Sequence, residues 1–150
     1  MLNLLWLVPA LPLAGFAVLA LTGGRLPRRW AGLVGVGSVA LSAVLALAIG
    51  ASFVLSPPPG DAFTQVIWQW LRVAGFDVAV ALRLDSLSLV MVLVVVGVGF
   101  LIHLYSAEYM ADDESYSRFF AYMNLFVGMM LILVLADNLL LLYLGWEGVG

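Results

Sequence analysis

Long apolar runs, separated by short polar segments, dominate the sequence. A helix that crosses a membrane needs about 20 apolar residues to span about 30 Å of hydrocarbon. Five runs meet this requirement or begin to do so, over residues 2–21, 31–55, 86–105, 119–136 and 139–150, the last incomplete. The pattern predicts an all-α polytopic membrane helix bundle whose fifth helix continues beyond residue 150.

The pattern changes between the second and third runs. Pro57-Pro58-Pro59-Gly60 cannot continue a helix. In residues 76–84, large apolar side chains alternate with small or polar ones, which is typical of a half-buried strand. Residues 63–71 are rich in strand-forming residue types. We therefore expect a short β-hairpin over residues 63–84.

Ala74 and Gly75 lie between these two segments and are expected to turn the chain back. An interfacial helix is the alternative, because Trp68 and Trp70 would suit the depth of the lipid headgroups. The two-residue period after Phe76 favours the hairpin.

Composition also indicates a membrane protein and excludes several functions. Hydrophobic residues make up 65% of the chain and charged residues only 10%, whereas a soluble domain has about 25% charged residues. All six basic residues are Arg, and no basic run carries interleaved aromatic residues, so we expect no nucleic-acid partner. The sequence has no Cys and a single His, so we expect no iron–sulfur cluster, haem or metal site in this chain.

The arginines predict an orientation. Arg25, Arg28 and Arg29 lie in the short connection after the first span, and short arginine-rich loops face the cytoplasm. The N-terminus and the hairpin are then outside, and the polar connection over residues 103–118 is inside. The lack of Lys and the abundance of Ala, Gly, Val and Leu are typical of a GC-rich bacterial genome, so we expect a multi-pass protein of a bacterial inner membrane.

Isolated polar and small residues have structural interpretations. Asp85 and Asp137 precede apolar helices and are expected to be N-caps. Asn124, inside the fourth span, is expected to form a hydrogen bond between helices. Gly35 is one of several small residues in the second span that would let a neighbouring backbone approach, so this helix is expected inside the bundle. His103 is interpreted as an interfacial residue, with a proton relay on the cytoplasmic side as the alternative.

Glu147 carries the functional hypothesis. It lies nine residues beyond Asn138, which at about 1.5 Å per residue places it about 13–14 Å into the membrane. An ionisable group at that depth is unfavourable and typically marks a path for protons or ions. Gly145 and Gly148 leave space beside it for a neighbour or for water, and Tyr143 lies one turn earlier on the same face. The alternative is a neutral glutamate held by a hydrogen bond between helices.

Four short motifs, in order along the chain, resemble a known family. It is the L-type antiporter-like membrane subunit of respiratory complex I, called subunit 5 in mitochondria. The resemblance covers the whole chain in register. The motifs are Leu84-Asp85-Ser86-Leu87-Ser88-Leu89, His103-Leu104-Tyr105-Ser106-Ala107-Glu108-Tyr109-Met110, Arg118-Phe119-Phe120-Ala121-Tyr122, and Asn138-Leu139-Leu140 continuing to Gly145-Trp146-Glu147-Gly148-Val149-Gly150.

This resemblance implies a fold and a function. The chain would be the N-terminal part of one antiporter-like transmembrane domain, working with the other membrane subunits of complex I, the lipid bilayer and protons. Glu147 would be a principal proton-translocating residue whose partner is a lysine on a later helix. The complex couples NADH oxidation by quinone to proton export, and its flavin (FMN), iron–sulfur and quinone sites would lie in other subunits.

Two alternatives stay open. The large subunit of the multisubunit sodium/proton antiporters shares the His-x-Tyr-Ser and Phe-Phe-x-Tyr motifs, but has Phe-Trp-Glu where this chain has Gly145-Trp146-Glu147. A membrane scaffold with no transport role is the other alternative. The predicted depth of Glu147 argues against the scaffold.

Overall fold

The structure is a computed structural model that describes residues 1–73 and 75–150. The described residues form helices joined by short connections, with one two-stranded sheet between the second and third helices. Short 3-10 turns at Leu2–Leu4 and Pro59–Asp61 precede α1 and β1. The helices and strands are α1 (Leu7–Leu21), α2 (Arg28–Leu55), β1 (Ala62–Val73), β2 (Phe76–Asp85), α3 (Ser86–Tyr109), α4 (Tyr116–Leu135) and α5 (Leu139–Val149).

The helical segments confirm a multi-pass membrane protein. Within the described residues, four are long and apolar enough to cross a bilayer: Leu2–Leu21, Arg28–Leu55, Ser86–Tyr109 and Tyr116–Leu135. The predicted ends differ by a few residues, chiefly in α3, which continues from the expected residue 105 to Tyr109. Hydropathy locates only the apolar part of a helix, whereas the 24 residues of α3 span about 36 Å and exceed the hydrocarbon core.

The predicted β-hairpin is confirmed, and the alternative of an interfacial helix is wrong. β1 and β2 pair antiparallel from Ala62 opposite Asp85 to Val73 opposite Phe76, with two irregularities in β1. Of the two residues expected to form the turn, Ala74 lies outside the described residues. Gly75 has a φ of +90°, a backbone conformation that glycine adopts without strain.

α2 packs inside the bundle as its small residues predict. The backbone of Gly35 lies so close to the buried Phe120 ring of α4 that a Cβ at this position would be 2.6 Å from Phe120 Cδ1. Asn124 of α4 forms the predicted bond between helices, because its Nδ2 donates to the Gly35 carbonyl at 3.1 Å. Its Oδ1 accepts from the Ser38 hydroxyl at 2.5 Å. The amide therefore links α2 to α4 with both of its polar atoms.

Contacts between connections show which ends of the helices share a side. Gln65 of β1 bonds the N-terminal segment, donating to the Asn3 carbonyl at 2.7 Å and accepting from the Trp6 amide at 3.1 Å. At the opposite ends of the spans, Arg28 donates to the Ala111 carbonyl at 2.5 Å, joining the α1–α2 and α3–α4 connections. The N-terminus and the hairpin therefore share one side, and these two connections share the other.

Candidate functional site

Asn138 fixes the start of α5. Its Oδ1 accepts a hydrogen bond from the Leu141 amide at 3.0 Å, which makes it the N-cap of the helix. Its Nδ2 donates to the Ala79 carbonyl of β2 at 2.7 Å. One side chain thus caps α5 and attaches it to the hairpin. The hairpin therefore determines the depth in the bundle at which α5 begins.

The prediction that Asp137 caps α5 is wrong. Asp137 precedes the N-cap by one residue, and its amide donates to the Ala81 carbonyl at 3.1 Å, continuing the contact of the α4–α5 turn with β2. Its carboxylate lies 3.9 Å from Arg83 Nη1, while Arg83 Nε lies 3.7 Å from Asp85 Oδ2. Arg83 therefore joins both acidic residues, a long-range contact that no local motif signals.

The prediction that Asp85 is the N-cap of α3 is confirmed. Asp85 Oδ1 accepts from the Ser88 amide at 2.9 Å, and the Ser88 hydroxyl accepts from the Asp85 amide at 2.7 Å. These two bonds form a capping box. The hydrogen bond from the Ser88 amide, together with the nearby Arg83, holds the pKa of the Asp85 carboxyl below its usual value.

One face of α5 packs tightly on α4. Leu141 and Gly145 are buried there, and a Cβ on Gly145 would lie 2.7 Å from the Leu133 amide nitrogen. A Cβ on Gly148 would lie 2.6 Å from Met129 Cγ. α4 therefore fills the space beside the two glycines. The sequence left open whether a neighbour or water would occupy this space, and the occupant is the neighbouring helix.

Glu147 projects from another face of α5. It follows Gly145 by two residues, which rotates it by about 200° around the helix axis, and its side chain is exposed. Tyr143 is also exposed and lies one turn earlier on the same face. Across residues 1–73 and 75–150, the ion pairs of the structure lie in and beside the hairpin, and none involves Glu147.

His103 is fully buried where α3 packs on α4, and its interpretation as an interfacial residue stays a prediction. α3 continues six residues beyond it, and its ring centroid lies 5.9 Å from that of Phe120 in α4. Nδ1 donates to the Gly99 carbonyl at 2.7 Å, which leaves Nε2 of a neutral imidazole as an acceptor. In the part of the chain that the structure describes, the buried Nε2 has no hydrogen-bond partner.

Comparison with known proteins shows which family this chain resembles. Residues 70–120 match the family described as NADH-Ubiquinone oxidoreductase (complex I), chain 5 N-terminus. The chain is 51% identical over 148 residues to NADH-quinone oxidoreductase subunit L of Escherichia coli (strain K12), and 53% identical over 148 residues to that of Pseudomonas aeruginosa. Both alignments cover 99% of this chain. Over nearly its whole length, the chain is similar to the subunit L family.

The relatives of the L family are much longer than this chain. Each of these two alignments covers 24% of the relative. Subunit L of Mycobacterium tuberculosis (strain H37Rv) is 46% identical over 149 residues, which are 97% of this chain and 23% of the relative. The chain thus spans about a quarter of the length of the curated relatives it matches.

The two site residues predicted from the sequence lie apart. His103 is buried in α3 against α4, whereas Glu147 is exposed on the side of α5 that turns away from α4. Counted from the hairpin side, His103 lies 17 residues along α3 and Glu147 eight residues along α5. At about 1.5 Å per residue, the difference in depth is about 13 Å. The structure does not join the two residues into one site.

Proposed function

We propose that this chain is part of a proton-translocating membrane subunit of NADH:quinone oxidoreductase and that Glu147 is its proton relay. The observation that carries the proposal is the position of Glu147, about 13–14 Å along α5 from its N-cap and exposed on the face away from α4. The two bacterial relatives support the reaction, since each is subunit L of an NADH-quinone oxidoreductase.

An ionised carboxylate at this depth requires a partner. A charged residue near the bilayer centre is unfavourable by about 3 kcal/mol or more, and the chain is apolar enough to pack without one. Glu147 is therefore proposed to face a segment that supplies a cation or water, in line with the lysine that the family resemblance implies. Making and breaking that pair would raise and lower the proton affinity of Glu147.

The magnitudes are compatible with pumping. Moving one charge against about 150 mV requires about 3.5 kcal/mol. One pKa unit corresponds to about 1.4 kcal/mol, so a swing of about two to three units is sufficient. A buried carboxylate that alternately gains and loses a cationic partner can undergo such a swing.

The redox chemistry is assigned to other subunits. NADH oxidation and quinone reduction need a flavin, iron–sulfur clusters and a quinone site, for which we propose no ligands in this chain. Its own contribution is proton transfer within the bilayer, in contact with the other membrane subunits of the complex. The compartment we propose is a bacterial inner membrane, with the N-terminus and the hairpin outside.

The test of the Glu147 relay compares two substitutions in the full-length protein. Glu147→Gln is expected to lower both coupled proton pumping and NADH:quinone turnover by at least about tenfold, because the amide keeps the shape but cannot ionise. Glu147→Asp is expected to retain partial function, because its carboxylate still titrates. Turnover and the proton gradient are measured in membranes, with the amount of intact complex checked on a native gel.

Glu108→Gln is the matched control, because Glu108 is an exposed carboxylate at the end of α3. It is expected to pump normally. A structural glutamate would give the opposite ranking, with Gln tolerated at least as well as Asp. Normal pumping by Glu147→Gln at normal complex content would exclude the relay.

His103 is proposed as a second relay on the side of the α3–α4 connection. Its support is a buried imidazole whose Nε2 is left as an acceptor while Nδ1 is held by Gly99. In His103→Asn the amide can still donate to the Gly99 carbonyl, but it cannot titrate. If His103 is a relay, His103→Asn is expected to lower proton pumping at unchanged complex content in the assay used for Glu147. Full activity of this variant would show that His103 only contributes to packing.

A further inference from the structure

A cavity of about 610 Å³ opens where α1 ends and α4 begins. Its apolar wall comes mainly from the last turns of α1, with Phe16, Leu19 and Ala20. Its polar wall comes from the α1–α2 connection and the region around the start of α4, where Glu114 and Arg118 line it. The cavity thus lies at the ends of the spans, where hydrocarbon meets lipid headgroups.

The polar wall carries charges of both signs that the protein leaves available. Across the described residues, neither Arg118 nor Glu114 takes part in an ion pair. Arg28 also lines the cavity and uses Nη1 for the Ala111 carbonyl, which leaves its other guanidinium donors for a ligand. Ser117 also lines the cavity, and its buried hydroxyl has no hydrogen-bond partner among the described residues.

We propose that this cavity binds the headgroup of a phospholipid that carries both a phosphate and a primary ammonium, as in phosphatidylethanolamine. Arginines suit the phosphate, since a guanidinium can donate two parallel hydrogen bonds to its oxygens. Glu114 suits the ammonium, which donates hydrogen bonds that a quaternary amine cannot. The apolar wall formed by Phe16 and Leu19 accommodates the start of an acyl chain.

The presence of Glu114 decides between lipid classes. A purely anionic headgroup would place a negative charge beside this carboxylate, which is unfavourable at close range. A choline headgroup would neutralise the charge but leave the carboxylate without a donor. The size of the cavity is suitable for a lipid headgroup, since binding sites for small molecules typically enclose about 300–1,000 Å³. This proposal does not depend on proton translocation by Glu147.

The experiment measures lipid binding to the full-length protein, purified with the partners it retains and depleted of lipid. Phosphatidylethanolamine, phosphatidylglycerol and phosphatidylcholine are added back, and bound lipid is counted by native mass spectrometry. Wild type is expected to prefer phosphatidylethanolamine. Arg118→Gln is expected to weaken binding of all three about tenfold, the effect of losing about one charge-assisted contact. Glu114→Gln is expected to keep binding but lose the preference for phosphatidylethanolamine over phosphatidylcholine.

Matched controls lie in the same two connections but do not line the cavity. Arg25→Gln and Asp112→Asn are expected to bind lipid as wild type does. Equal binding of the three lipids by wild type, or a preference for phosphatidylglycerol, would overturn the assignment of the headgroup. Unchanged binding by Arg118→Gln would show that the cavity is not the site.

A second measurement uses only wild-type protein, so it does not depend on the variants folding. Phosphatidylethanolamine with a photoreactive group near the start of its acyl chain is crosslinked in membranes, and the attachment points are mapped by peptide mass spectrometry. Attachment at Phe16, Leu19 or Ala20 supports the proposal. Attachment confined to other helices overturns it, because another segment of the protein would then occupy the cavity.

Discussion

Asn138 performs two tasks with one amide. Its oxygen caps α5 through the Leu141 amide, and its nitrogen attaches the helix to the Ala79 carbonyl of β2. α5 has only 11 residues in the structure, and Glu147 lies two turns from its start. Any movement of the N-cap therefore transfers directly to the depth of the carboxylate, which makes Asn138 a positioning residue for the proposed relay.

Two substitutions at Asn138 separate the cap from the attachment. Asn138→Ala removes both bonds, so the Leu141 amide is expected to exchange hydrogen at least about fivefold faster, corresponding to a loss of about 1 kcal/mol for the cap. Asn138→Asp keeps an acceptor for the Leu141 amide but cannot donate to Ala79. Hydrogen–deuterium exchange of the full-length protein is expected to show that Asn138→Asp protects the Leu141 amide as wild type does. Asn138→Ala is expected to lose this protection.

Equal exchange in wild type and Asn138→Ala would show that α5 is held by its packing on α4 and not by its cap. Accelerated exchange in both variants would show that the bond to Ala79, not the cap, holds the turn. Ser115 offers a control, because it precedes α4 without forming a side-chain cap. Ser115→Ala is expected to leave exchange at Leu141 unchanged.

Residue-scale predictions succeeded where a residue type in its sequence context has one dominant use. Asp85 and Asn124 were predicted correctly, because an acidic residue before an apolar helix and an amide inside a span each have one dominant use. Asp137 was not, and the burial of His103 was not predicted. The partner of Asp137 lies on β2, and the burial of His103 depends on which face of α3 is covered by α4. Neither fact can be obtained from neighbours in the sequence.

At the scale of elements, α2 has one face that packs on α4 and another that does not. Gly35 lies against the Phe120 ring, whereas a Cβ on Gly37 would meet no atom within 4 Å. Two residues along a helix are separated by about 200°. The two glycines, nearly identical in sequence context, therefore occupy opposite environments on the same helix.

Gly35→Leu is expected to reduce the yield of assembled protein several-fold, because the new side chain must displace the Phe120 ring from a packed interface. Gly37→Leu is the control on the same helix and is expected to assemble as wild type does. Yield is measured on a native gel of membranes that contain the full-length variants. Equal loss in both variants would show that the effect arises from helix conformation and not from contact with Phe120.

The hairpin shows why element types were predictable while their ends were not. The spacing of apolar residues changes from the 3.6-residue period of a helix to the two-residue period of a strand. This change is visible in the sequence, so the strands were placed to within about one or two residues. The end of α3 was misplaced by four residues, because polar residues from His103 onward resembled a loop. They continue the helix because a helix can extend past the apolar core with polar and exposed side chains, and only His103 and Ser106 among them are buried.

At the scale of the molecule, the arginines divide unequally between the two sides of the bundle. The side of the α1–α2 and α3–α4 connections carries four, whereas the hairpin side carries two. The four are Arg25, Arg28, Arg29 and Arg118, and the two are Arg72 and Arg83. Cytoplasmic connections are enriched in arginine and lysine. This distribution supports the proposed orientation, in which the cavity beside Arg118 faces the cytoplasmic leaflet and Glu147 is nearer to the outside.

Single cysteines test this orientation. Pro59 lies before the hairpin and Asp113 in the α3–α4 connection, and both are exposed on opposite sides of the bundle. These 150 residues contain no native Cys, so the probes need only the replacement of cysteines elsewhere in the full-length protein. With a membrane-impermeant maleimide on intact cells, Pro59→Cys is expected to be labelled and Asp113→Cys is not.

Permeabilised cells provide the control, since both cysteines are then expected to react. Labelling of Asp113→Cys alone in intact cells would reverse the orientation. The hairpin would then face the cytoplasm, and Glu147 would lie about 13–14 Å from that side. Protons leaving the cell would in that case meet Glu147 before they meet His103, because α5 starts at the hairpin side whereas His103 lies in the far part of α3. The labelling result therefore fixes the order in which the two proposed relays act.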